Sequence, residues 1–86
     1  MATVKSTVTS DIAYICNPDD IVERVGKRIR SYRLSKRWSQ QLLADHAQLS
    51  KVHIIAVEKG RAEVGLRALE RIAAALGVRP RDLIDP

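Results

Sequence analysis

From residue 18 to the C-terminal end, apolar positions recur at helical spacing rather than in strict alternation. Ile21, Val25, Ile29 and Tyr32 follow one another at steps of four, four and three, which predicts a first helix over about 18–36. Asn17-Pro18-Asp19-Asp20 stands before it. Asn suits an N-cap, Pro the first helical position, and acids the first turn. Leu43, Ala47, Leu49, Ile54 and Val57 then mark two short helices, about 40–47 and 51–59, with almost nothing between them. Ser39 and Ser50 can cap them, and Gly60 supplies a left-handed stop. Ala44 offers little bulk where crossing helices need close approach. After a loop at about 61–65, Leu66, Leu69, Ile72, Ala73 and Leu76 form the stripe of a fourth helix ended by Gly77. Pro80 opens a short fifth helix carrying Leu83 and Ile84.

The pattern predicts an all-α fold: one compact five-helix domain over 17–86. Residues 1–16, rich in Thr, Val and Ser, read as a flexible N-terminal arm; an edge strand or dimer-swapped strand is the alternative. At 86 residues the chain can bury one small core. Aromatic residues are only 3% of the chain, so Leu, Ile, Val and Ala must build that core, which suits packed helices. The single cysteine, Cys16, points to a reducing cytoplasm rather than a secreted, disulfide-stapled domain. No apolar run approaches the roughly 20 residues of a membrane span, and the N-terminus has no signal-peptide pattern.

Charge changes the picture. The net charge is +5, and seven cations lie between Arg24 and Arg37 with no acid among them. Such a block suggests a polyanion partner, although by itself a solvated helix face explains it as well. The two short helices tilt that balance. Each buries one stripe, and the outer face of the second is left free to enter a DNA groove, which is the requirement of a helix-turn-helix.

Residues 25–84 carry a combined signature: Val25-Gly26-Lys27-Arg28-Ile29-Arg30 with Arg33, Trp38-Ser39-Gln40, Leu43-Ala44, Ile54, Val57-Glu58-Lys59-Gly60-Arg61, and Leu69, Ile72-Ala73-Ala74-Ala75-Leu76-Gly77-Val78 with Leu83 behind. This spacing resembles the Cro/CI repressor-type helix-turn-helix family, also called the Xre family, over about two-thirds of the chain. The resemblance implies a lambda-repressor-like domain with the helix-turn-helix at its second and third helices. It implies that Gln40 hydrogen-bonds a DNA phosphate and that Lys59 and Arg61 also meet the backbone; the cation Arg37 is expected to join them. Arg33 and Glu58 match a structural ion pair tying the first helix to the third. Lys51, Val52, His53, Ile55 and Ala56 fall on the face that would read bases. Trp38 takes an apolar position between the first two helices.

Several positions depart from the family pattern. Gln48 and Arg37 stand where Gly is common, and a left-handed Gln48 costs about 1 kcal/mol or more. Val64-Gly65 replaces the more usual Pro-Ser, which leaves the fourth helix weakly capped. The reading face is less polar than in many relatives. Lys can reach guanine acceptors and apolar groups can touch thymine methyls, so phosphates and DNA shape would carry much of the affinity.

Competing chemistries find little support. His46 and His53 have no Cys, His or acid at metal-ligand spacing, and Cys16 has no evident general base. No Gly-rich phosphate loop and no convincing carboxylate pair is present, so no enzyme, metal or cofactor is expected. The reading is a sequence-specific, double-stranded-DNA-binding transcriptional regulator, a repressor or activator. It would act as a homodimer on a roughly palindromic operator, by blocking or touching RNA polymerase. Phage repressors and controllers of restriction-modification systems share this size, which makes autoregulation a natural role. Leu83 and Ile84 are expected at the dimer surface. The rival is a protein-interaction module, favoured by Val52, Ile55 and Ala56, or an antitoxin whose arm binds a toxin partner.

Overall fold

In a computed structural model, residues 20–85 are described. Among them the chain forms α1 (Ile21–Ser35), α2 (Gln40–Ala47), α3 (Lys51–Glu58), α4 (Leu66–Leu76) and α5 (Pro80–Ile84), and no strand. None of the described helices is long and apolar enough to cross a membrane. The expected N-terminal arm, Cys16 and the Asn17-Pro18 start signal lie outside the described residues. The first helix begins later than its pattern predicts. Asp20 caps it, its carboxylate accepting the Val22 N–H at 3.0 Å. A cap that satisfies an orphan donor outweighs the proline signal upstream.

Ser39 and Ser50 cap α2 and α3 as expected, accepting the N–H groups of Leu42 and His53 at 3.0 Å each. Gly65 provides no side-chain cap for α4. At α5, Asp82 accepts the Arg79 N–H at 2.9 Å. The helix ends share one solution. Each of α1 to α4 is followed by a left-handed residue whose N–H, with that of its successor, closes back on the last turn. Gly60 and Gly77 hold this conformation for α3 and α4, at φ 72° and 76°. Arg37 and Gln48 hold it for α1 and α2, at φ 62° and 59°. There the Trp38 N–H reaches Arg33 O and the Leu49 N–H reaches Ala44 O. The chain therefore tolerates about 1 kcal/mol or more of strain at each of two non-glycine turns.

The core is aliphatic. Val25 and Ile29 of α1, Leu43, Ala44 and Ala47 of α2, Ile54 and Val57 of α3, Leu69, Ile72, Ala73 and Leu76 of α4, and Leu83 of α5 are all buried. Three expected placements need correction. Leu83 is fully buried rather than presented at a surface, because α5 folds back onto both α1 and α4. Ile21 and Leu66 lie on the predicted faces of α1 and α4 yet stay exposed, Leu66 at 81%. Each belongs to the first turn of its helix, and no described element covers those turns.

α1 and α3 approach closely at Gly26. A Cβ on Gly26 would collide with the Val57 carbonyl oxygen, whose own group cannot move without moving α3. Gly26→Ala is therefore expected to destabilise the domain by about 1–3 kcal/mol or more, the range of overpacked cores. Thermal unfolding monitored by circular dichroism measures it; an unchanged midpoint would mean the two helices have room to part.

Candidate nucleic-acid interface

Arg33 and Glu58 are the two charged residues buried among the described residues. The Arg33 Nε donates to Glu58 Oε2 at 2.7 Å and its Nη2 to Oε1 at 3.0 Å. A planar guanidinium matches a carboxylate in this two-pronged way, and Lys could not replace it. The third prong, Nη1, donates to the Trp38 carbonyl at 2.7 Å. One side chain thus ties the end of α3 to α1 and to the loop that launches α2. The structural pairing implied by the family resemblance is present.

Gln40, the first residue of α2, is half-buried over this pair. Its Nε2 donates to Glu58 Oε1 at 3.2 Å, which leaves the amide a second N–H. The carboxylate that anchors α3 therefore also orients the amide expected to meet a phosphate.

Around this anchor the expected contact residues divide by exposure. Lys51 and Val52, at the start of α3, stand clear of the fold, Val52 at 76% exposed. His53, Ile55 and Ala56 are half-buried, so only part of each faces outward. Arg37, Lys59 and Arg61 are exposed in the turns after α1 and α3. Trp38 is half-buried against the core. It stacks on His46 with centroids 4.6 Å apart, and the Lys36 ammonium sits 5.2 Å from its ring centre. His46 thus has a packing role.

The basic block from Arg24 to Arg37 does not act as one surface. Arg24 Nη2 donates to the Ile84 carbonyl at 3.0 Å, and Arg28 Nη1 to the Asp82 carbonyl at 2.8 Å. Those carbonyls belong to the last turns of α5, where unsatisfied acceptors favour cations. Together with Arg33, then, at least three of the seven cations hold the fold together. Arg30 has no contact role in the sequence pattern. In the fold it is exposed and borders one polar cleft with Gln40 and Lys59, above Arg33 and Glu58. Its position three residues before Arg33 on a helix is the signal that could have found it.

Comparison with known proteins agrees with this fold. A family model described as helix-turn-helix matches residues 29–83. The control protein C.BamHI of Bacillus amyloliquefaciens is 43% identical over 61 residues, covering 70% of this chain and 75% of that protein. The crystal structure of the restriction-modification controller protein C.AhdI from Aeromonas hydrophila superposes with a TM-score of 0.70 at 34% identity, over 72% of this chain and 94% of the other. The hypothetical transcription factor NHTF from Neisseria superposes with a TM-score of 0.76 at 34% identity, over 81% of this chain and 80% of that one.

Removing one partner of the buried pair leaves the other charge without compensation. Glu58→Ala is expected to cost about 3–5 kcal/mol in chemical denaturation, enough to unfold much of a marginally stable domain. A loss below about 1 kcal/mol would show that the pair does not tie α1 to α3. With its fold, its anchor and its relatives in agreement, the chain belongs to the Cro/CI-type (Xre) helix-turn-helix family and is a DNA-binding transcriptional regulator, not an enzyme.

Proposed function

We propose that the protein acts as a homodimer on a roughly palindromic operator, with α3 of each copy in successive major grooves about 34 Å apart. Lys51 and Val52 carry the base contacts, assisted by the outward parts of His53, Ile55 and Ala56. Gln40, Arg37, Lys59 and Arg61 hold the phosphate backbone. The observation that carries this reading is the exposed N-terminal end of α3, on a helix whose other end a buried ion pair holds beside Gln40. The likeness to C.BamHI and C.AhdI supports control of a restriction-modification operon in the cytoplasm.

Selection of bound duplexes from a random library at low and near-physiological salt tests this reading. One palindromic motif surviving the higher salt is expected. Unrelated sequences whose binding collapses with salt would leave only phosphate attraction and would favour a protein-interaction module instead. Within the selected operator, Lys51→Ala should change sequence preference. Gln40→Ala and Arg61→Ala should weaken binding to all variants about equally. A uniform loss for Lys51→Ala would contradict base reading.

The dimer reading has its own support. Ile21 and Leu66, exposed on otherwise buried stripes, line one apolar groove of about 390 Å³ with Val64, Leu69 and Ile84. A second copy laying its own Leu66 there would cover both. Leu66→Glu adds charge without touching the core and should shift sedimentation from dimer to monomer. A dimer that persists with this substitution would place the interface elsewhere.

A further inference from the structure

The cleft between α1, the start of α2 and the end of α3 is lined by Arg30, Arg33, Gln40, Glu58 and Lys59. Its volume is about 410 Å³, ample for a phosphate group with its hydration. Three cations face one carboxylate, so the cleft carries a net charge of +2. The carboxylate itself is committed: it accepts two hydrogen bonds from Arg33 and one from Gln40. Among the described residues, neither the Arg30 guanidinium nor the Lys59 ammonium has a hydrogen-bond, ion-pair or ring partner. Two uncommitted cations therefore flank an oriented amide over a neutralised pair. Arg24 and Arg28 commit their guanidinium groups to carbonyls of α5, whereas Arg30 has no structural task to explain it.

We propose that Arg30 is a direct DNA contact, closing with Gln40 and Lys59 on a single backbone phosphodiester. The proposal rests on the DNA-bound reading above and adds a residue to it. A guanidinium can offer two parallel N–H donors to one phosphate, the Lys59 ammonium a point charge, and the Gln40 amide its remaining N–H. The three come from three different elements. Their convergence is set by the Arg33–Glu58 pair that holds those elements together. The contact carries no base information and acts on register and affinity.

The test is equilibrium binding of the full chain to a duplex of random sequence over a series of salt concentrations. Arg30→Gln is compared with the wild type and with Arg81→Gln. The second variant removes the same charge from α5, which packs on α1 and α4. Abolishing one phosphate interaction lowers the slope of log affinity against log salt by about 0.9. Arg30→Gln is expected to lower the slope by about that amount, and Arg81→Gln by much less. Arg30 and Arg81 are both exposed, and the Arg81–Asp85 ion pair lies at the surface where such pairs add little, so both variants should melt like the wild type. An unchanged slope for Arg30→Gln, or equal slopes for the two variants, overturns the proposal while leaving the DNA-bound reading intact. A wild type that binds no duplex overturns both.

Discussion

A single guanidinium organises the molecule. Arg33 reaches from α1 to the Glu58 carboxylate at the end of α3 and to the Trp38 carbonyl before α2. Every part of the candidate interface inherits its position from that junction. α3 can present Lys51 and Val52 at one end because its other end is held. Gln40 is oriented because Glu58 has a further lone pair for its amide. Burying two charges is expensive, and an apolar pair could pack there as stably. What an apolar pair could not do is aim donors. The ion pair is best understood as a positioning device whose geometry extends to the candidate interface.

Close packing at Gly26 complements it. The ion pair joins Arg33, near the end of α1, to the end of α3, and the missing side chain of Gly26, about two turns earlier on α1, lets the backbone of the last turn of α3 approach. Either constraint alone would leave one degree of freedom, a slide or a separation. Together they leave α3 little play, and that matters because base-edge hydrogen bonds tolerate only small displacements. Strain is accepted elsewhere. Arg37 and Gln48 occupy left-handed turns that glycine would enter freely. At Arg37 the strained turn exposes a cation, so the conformational cost coincides with a charge that the proposed DNA complex would use.

The distribution of charge shows how one sequence feature can serve two ends. Seven cations between Arg24 and Arg37, five of them on α1 and two in the turn that follows, suggest one electrostatic surface. In the fold they point around a cylinder, and geometry sorts them. Arg24 and Arg28 turn to the carbonyls of α5, Arg33 goes inward, and Arg30 faces the cleft beside Gln40. The positive potential felt by a polyanion is their sum, but specific contacts belong only to those whose donors remain uncommitted.

The helices, their serine caps, the glycine stops, the buried stripes of α2 and α3 and the Arg33–Glu58 pairing were all legible in the sequence. They depend on local spacing, on capping chemistry within a few residues, or on a motif whose partners stand at a fixed separation. The first turns of α1 and α4, the burial of Leu83 and the commitments of Arg24 and Arg28 were not legible. Periodicity assigns a residue to a face but cannot say whether anything covers that face. Ile21 and Leu66 thus stay open on stripes that are buried one turn later. Leu83 disappears into the core because α5 folds back across α1 and α4. That return path is a property of three helices packed together. So is the choice of which arginine keeps its donors free: chain order supplies the charges, and only the packed neighbours decide which are consumed.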